Sequence, residues 1–479
     1  MRRFLLLVLA VFMAVSTVNA QDSKEKKREK KQRKTELSES QEDENQTDSF
    51  GVNEEPDEDS DFGGSNFVPS LLHSTTDVFT NNTSYTFSIA YFKARGYDNK
   101  YQTTYANGFE LWNLINGRVN FSQWGGLNNI FRYPENISYM NIATFGFGSI
   151  GGTSNYNLRA SNFRKQLKAT YSTANRTYSN RLMLTYSSGL MSNGWAVAAS
   201  ASSRFGNYLS YVDGTSFLGF AGFIAAEKKI NTEHWLNLSA FTSYRQRGMQ
   251  SNSVQEVYDL LGNNYYNANW GWYEGKQRNA RVGTLCEPVF LLTHTYTPEN
   301  NKLYINTTLG TSFGRNKTTS LNWYDAQDPR PDYYRYLPSY LIDNGDTSGV
   351  YQSVVNLWTN NDESYTQINW YKLYEVNQLA AEMDKRAQYM IENRIYDHHQ
   401  LGASTNLTWS INDNWKIHAG ANIRGIKQRN YKTIDDLLGG LYWLDVDKFS
   451  EGDFPDDMSV QYNDLLHKDD TLVEGDVFG

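Results

Sequence analysis

Leu303, Ile305, Thr307, Leu309, Thr311 and Phe313 alternate with Tyr304, Asn306, Thr308, Gly310, Ser312 and Gly314. The same beat returns at Leu401, Ala403, Thr405, Leu407, Trp409 and Ile411, interleaved by Gln400, Gly402, Ser404, Asn406, Thr408 and Ser410. Successive side chains on a strand point to opposite faces, so each segment predicts a strand with one apolar wall and one small or polar wall. A soluble sheet with one solvated face would show the same pattern. From about Phe163 onward at least nine strand-like segments can be read, centred near 164–173, 177–187, 194–205, 216–228, 234–246, 285–296, 302–315, 399–411 and 415–429. In the fifth, Leu236, Leu238, Ala240, Thr242 and Tyr244 form the apolar stripe. In the ninth it is Trp415, Ile417, Ala419, Ala421 and Ile423, with Lys416, His418, Asn422 and Arg424 facing the other way. Such charges are costly in a dry core, whereas a wet or plugged lumen accepts them.

The joins carry a second pattern. Those at 188–194, 229–233, 297–301 and 411–414 are short and rich in Gly, Asn, Asp, Ser or Pro, while those at 205–215, 247–283 and 315–398 are long. Short and long take turns after a tight first join near Ala174. An antiparallel barrel with short turns on one side of a membrane and long loops on the other gives that pattern; a soluble sandwich has no reason to sort its loops so. Within the long joins, 253–261 and 365–396 have helical spacing, the second through Leu379, Ala380, Met383, Ala387 and Met390. Tyr265, Tyr266, Trp270, Trp272 and Tyr273 cluster as a ligand-capturing surface would.

The N-terminus argues for export. Met1-Arg2-Arg3 is basic, Phe4 to Val15 is apolar, and Val18-Asn19-Ala20 offers small residues for cleavage, which predicts a signal peptide over 1–20. The apolar run is shorter than the ~20 residues of a spanning helix. Residues 21–65 pass from a basic run, Lys24 to Lys34, to an acidic one, Glu36 to Asp61, and read as a disordered charged linker.

Composition then narrows the class. Aromatic residues make up 15% of the chain, with 34 Tyr and 12 Trp, yet mean hydropathy is −0.64. High aromatic content with low hydropathy fits a barrel with a polar lumen and aromatic rims. A carbohydrate-binding sandwich is the blander alternative. The net charge of −8 argues against nucleic acid as a partner. Cys286 is the single cysteine, so no intrachain disulfide can form, and it is expected as an inert buried thiol.

Residues 66–162 fit neither pattern and form a Gly- and aromatic-rich block of their own, ahead of a partial barrel over 163–479. In order they contain Ala94-Arg95-Gly96-Tyr97-Asp98, Tyr105-Ala106-Asn107-Gly108-Phe109, Gly125-Gly126-Leu127-Asn128-Asn129 and Phe147-Gly148-Ser149-Ile150-Gly151-Gly152-Thr153-Ser154-Asn155. The series closely resembles the plug motifs of TonB-dependent outer-membrane receptors, of the Bacteroidota branch in particular. Physically, Gly96 and Gly108 suit turns of positive φ, Asn107-Gly108 is a hairpin signal, and Gly151-Gly152 would let the block's sheet approach the barrel wall. Arg95, Gly96, Asn107, Gly108, Gly148, Gly151, Gly152 and Asn155 are therefore expected to shape the plug rather than to bind a ligand.

The resemblance implies a mainly β fold, with a plug inside an antiparallel transmembrane barrel of about 22 strands. It implies export to the bacterial outer membrane, contact with its lipid, import of a scarce nutrient, coupling to TonB through the N-terminal segment, and a surface lipoprotein as a companion. This chain departs from the pattern in three respects. About nine strands are legible, the end at Glu474 to Gly479 follows an acidic stretch without strand alternation, and no convincing TonB-pairing segment stands in the linker, where Phe50-Gly51-Val52 is a weak candidate. The expectation is a barrel truncated in an outer loop, working as part of a split receptor or else as a non-transporting fragment with a binding or adhesive role.

No cofactor, metal site or catalytic group is expected. Asp397-His398-His399 is the compact cluster closest to one, but neighbouring strand residues face opposite ways. Asp453, Asp456 and Asp457 lack an alternating carboxylate loop and read as a solvated turn.

Overall fold

The computed structural model describes residues 97–479, except 115–116, 133, 138–139, 174–177, 207–211, 346–347, 448, 465–469 and 479. The signal peptide, the charged linker, and Arg95 and Gly96 lie outside the described residues.

Two sheets carry the architecture. A small inner block holds β1 (Thr103–Ala106), β2 (Phe109–Leu111), β3 (Glu135–Ile137) and β4 (Thr153–Tyr156), ordered β2-β1-β4-β3, with β1 parallel to β4. Around it runs an antiparallel sheet. Its strands are β5 (Gln166–Thr173), β6 (Asn180–Leu190), β7 (Trp195–Gly206), β8 (Ser216–Lys229), β9 (His234–Gly248), β12 (Val282–Cys286), β13 (Val289–Tyr296), β14 (Leu303–Trp323), β15 (Tyr389–Ser410), β16 (Lys416–Asp436) and β17 (Val477–Phe478). A separate hairpin, β10 (Trp270–Tyr273) and β11 (Lys276–Asn279), sits in the join between β9 and β12. β12 and β13 follow one another between β9 and β14, and every other strand pairs with its sequence neighbour in the sheet, so β5 forms one edge and β16 with the short β17 the other. No ladder joins these edges among the described residues.

Side-chain placement inverts that of a soluble sheet. On β14 and β15 the polar members point inward and are buried, Thr308 at 0%, Ser312 at 2% and Gln400 at 3% exposed. The apolar members point away, Leu309 at 51%, Leu401 at 69% and, on β16, Ile423 at 74%. The sequence placed one wet and one apolar wall on these strands, and the structure turns the apolar wall outward. On β7 to β9 and β13 the inner wall differs: Ala196, Ala198, Ala221, Phe223, Ala225, Phe241, Val289 and Leu291 pack against the block's own core. That core centres on Trp124, stacked 4.9 Å from Phe131, with Phe241 of the wall edge-on to Phe131 at 5.0 Å.

All nine expected strands are present, with two revisions. The segment near 285–296 is two strands, broken at Glu287-Pro288, because Pro288 lacks the N–H a ladder needs and Glu287 turns inward to 3% exposure. The acidic tail does contribute pairing: Val477 and Phe478 meet Thr433 and Lys432 of β16. Cys286, expected buried, is exposed on the outward face.

The turns at 191–194, 230–233, 297–302 and 411–415 all lie at one end of the strands. At the other end the long joins fold into a layer around two cores, one through Val257, Tyr266, Val354 and Trp358, the other through Ile368, Trp370, Leu373 and Leu438. Helix Gln255–Leu261 matches expectation. The longer helical reading is cut back to Trp370–Glu382. Asp384 turns the chain at φ 57°, and the carboxamide oxygen of Asn377 accepts from the backbone N–H of Gln388 and Tyr389 at 2.9 and 3.1 Å. Met390 then pairs with Asn322 in the β14–β15 ladder, so long-range pairing overrides helical spacing there. Among the described residues no helix is long and apolar enough to cross a membrane.

Candidate functional site

The chemistry of this chain gathers where the inner block touches the wall. Asn107 and Gly108 form the tip of the β1–β2 hairpin with φ of 51° and 82°, the paired left-handed turn that an Asn-Gly sequence favours. The tip is gripped from both sides. Asn306 Nδ2 and Thr308 Oγ1 of β14 donate to the Asn107 carbonyl at 3.0 and 2.6 Å, and Ser404 Oγ of β15 donates to that of Gly108 at 2.7 Å. Asn406 Nδ2 donates to the Phe145 carbonyl at 3.1 Å and Gln400 Nε2 to that of Glu110 at 3.0 Å. From within the block, Asn155 Oδ1 accepts from the Gly108 N–H at 3.0 Å, and Asn107 Oδ1 accepts from Leu158 N–H at 2.7 Å. The small polar residues that interleave the apolar stripes are thus the clamp.

Charged groups join the contact: on the hairpin itself Glu110 of β2 pairs with Arg424 of β16 at 3.0 Å, and three further seats lie beyond it. Glu287, turned inward by the strand break, accepts from Asn120 Nδ2 at 3.1 Å and Gln123 Nε2 at 2.9 Å, with His398 Nδ1 3.4 Å from its other oxygen. Arg204, 1% exposed, lies beneath Gly125 and Gly126, where a Cβ on Gly126 would stand 2.6 Å from Ser202 Oγ. Glu227, 0% exposed, is paired with Arg159 and accepts from the Ser161 N–H at 2.9 Å, where the block passes into the wall.

Magnitudes rank these contacts. A neutral bond from a wall side chain to a backbone carbonyl contributes about 0.5–1.5 kcal/mol net, one to a charged group about 1.5–3. The hairpin tip is therefore held by several weak, replaceable bonds beside the part-exposed Arg424–Glu110 pair, and the more deeply buried Arg159–Glu227 corner is the firmer anchor.

Of the residues singled out from the sequence, Asn107, Gly108 and Asn155 come together in this clamp. Gly151 does not meet the wall as expected. A Cβ on Gly151 would lie 2.7 Å from the Tyr101 carbonyl, so its close approach is within the block, and Thr103 N–H bonds the Gly152 carbonyl at 3.1 Å. Gly148 likewise faces the Asn141 carbonyl at 3.0 Å. The approach to the wall is made instead by Gly125-Gly126, the glycine pair of the third motif. The inward polar residues of β14 and β15 were visible as a stripe, yet only pairing with the block reveals them as donors.

In the outer layer, Tyr266 and Trp270 are buried in the layer itself, while Tyr265 and Trp272 remain exposed. Burial pushes the Tyr266 hydroxyl far above its ordinary range, and that hydroxyl donates to the Thr366 carbonyl at 2.8 Å. Two of the five expected capture aromatics are thus structural. His398 faces inward to Ser312 and Glu287, whereas His399 stacks outward on Phe313, as neighbouring strand residues must. No group of three metal-ligating side chains occurs among the described residues.

A substitution tests the clamp. Gly108→Val adds a branched side chain at φ 82°, where Asn406 Nδ2, Asn306 Nδ2 and the Phe145 carbonyl stand 3.1–3.2 Å from the new Cβ. Strain and overpacking together are expected to cost about 2–4 kcal/mol. Hydrogen exchange of β1 and β2 should speed accordingly, and unchanged protection would remove the clamp from the account.

No family model and no curated protein matches the chain. Solved structures do resemble it. "Copper transporter OprC" aligns at TM-score 0.44 and 11% identity, over 73% of this chain and 41% of that one. The ferric-catecholate import receptor Fiu from E. coli K12, in its open form, aligns at TM-score 0.43 and 11% identity, covering 72% and 46%. The pyoverdine outer membrane receptor FpvA from Pseudomonas aeruginosa PAO1 aligns at 0.40 and 12%, covering 71% and 43%. The chain spans less than half the length of each.

Proposed function

We propose that this chain is the plug and leading barrel strands of a TonB-dependent receptor in the bacterial outer membrane, importing a scarce nutrient. One observation carries the reading: the sheet buries Thr308, Ser312 and Gln400 against an inner block and leaves Leu309, Leu401 and Ile423 outside. Water would not stabilise that arrangement, whereas lipid would. Aromatic residues stand near both limits of the outward band, Trp195, Tyr296 and Trp409 toward the short turns, Phe205, Tyr244 and Phe313 toward the long joins.

The mechanism follows from the ranking of contacts. Ligand gathered by the outer layer would reach the inner block from the loop end. A pull on the N-terminal segment would then release the weak clamp at Asn107 and Gly108 before the Arg159–Glu227 corner gives way, opening a passage along the polar wall of β14 and β15. The edges of β5 and β16 would leave unpaired backbone groups in lipid, so the working receptor requires further strands on both.

Heat-modifiable mobility of protein extracted from outer membranes tests this reading. A folded band that migrates faster before boiling and withstands urea washing of the membranes is expected. Recovery only in soluble or aggregated fractions would sink it.

A further inference from the structure

The outward face changes character abruptly along β14, β15 and β16. Through the row Thr311, Leu401 and Gly425 it is apolar or small; the next row is Phe313, His399 and Lys427, and the one beyond is Cys286, Arg315, Asp397 and Arg429. Phe290, Phe313 and His399 stack along that border with centroids 6.0 and 6.3 Å apart. Arg315 holds Asp397 in a two-pronged bond at 2.7 and 2.8 Å, joined by the Tyr431 hydroxyl at 2.8 Å. Lys317 lies 3.5 Å from Asp435. Lys427 and Arg429 are exposed and form no ion pair with any described residue. The excess positive charge therefore sits where the apolar band ends.

We propose that this border binds the phosphate of a lipid headgroup, with Lys427 and Arg429 as the contacting cations. The inference rests on the membrane reading above. A guanidinium fork and an ammonium side by side suit a phosphate, the first by paired hydrogen bonds and the second as a point charge. The favoured source is a lipid rather than free phosphate, because Leu309, Leu401 and Ile423 lie just below to receive acyl chains. Basic side chains at such a border also keep the end of the strand in water, and that role alone would give no preference for any lipid.

Cys286 supplies a local reporter, being the chain's single cysteine, exposed and paired across from Arg315. The full chain, extracted folded from outer membranes with the strands that complete its sheet and carrying a fluorophore on Cys286, is reconstituted in phosphatidylcholine vesicles, and quenching by brominated phosphatidic acid is compared with quenching by brominated phosphatidylcholine. Stronger quenching by phosphatidic acid is expected, reduced about fivefold for each of Lys427→Gln and Arg429→Gln and not reversed by inorganic phosphate. Equal quenching by the two lipids, or a preference that survives both substitutions, overturns the headgroup site while leaving the membrane reading intact. Displacement by inorganic phosphate overturns the lipid as its source. Absence of quenching by either lipid overturns the membrane reading and the site with it.

Discussion

Glu227→Ala is expected to loosen the inner block by about 3–5 kcal/mol, the usual penalty for removing one partner of a buried ion pair. The carboxylate is fully buried, paired with Arg159 and bonded to the Ser161 N–H at 2.9 Å. Its loss leaves a guanidinium, itself packed 5.5 Å over the Trp235 ring, without its counter-charge. Glu227→Gln keeps oxygen and shape but not charge, so its cost should be smaller, roughly 1–3 kcal/mol. The measurement is protease sensitivity of the inner block across a urea series in membranes, where the wall itself resists. An alanine variant as resistant as the parent would show that the corner does not anchor the block, and the order of release proposed above would then fail.

The same corner shows what sequence reading could and could not reach. Arg159 and Glu227 are far apart in the chain, and neither carries a pattern of its own; only the seating of the block against β8 brings them together. Asn107-Gly108 was legible because a hairpin tip is a local matter of φ. What grips the tip was half legible: Asn306, Thr308, Ser404 and Asn406 stood out as the polar half of an alternation, but periodicity fixes a face and not its partner. Gly151 packs on Tyr101 of the block rather than on the wall for the same reason, since a glycine pair announces close approach without naming what approaches. The shortened helix after Trp370 and the strand break at Glu287-Pro288 are places where long-range pairing, invisible in a local window, decided the backbone.

The decisive question is what lies against the outward stripe, and one substitution separates water from lipid. Ile224 is 58% exposed in the middle of β8, between Ala199 of β7 and Ala240 of β9. If that face met water, Ile224→Arg would fall among surface changes within about 0.5 kcal/mol, and a long side chain on an open strand would be accommodated without loss. Against hydrocarbon the same change should cost about 2–4 kcal/mol near the middle of the bilayer and much less near its edges. Depth dependence is therefore the signature. Arginine at Leu218, six residues further from the short turn along β8, should be milder than at Ile224, because its guanidinium can reach the headgroups. Urea-dependent folding into vesicles measures both. Equal, negligible costs at the two positions would return the alternating stripes to a soluble sheet; a graded penalty would fix them as the lipid-facing wall of a barrel.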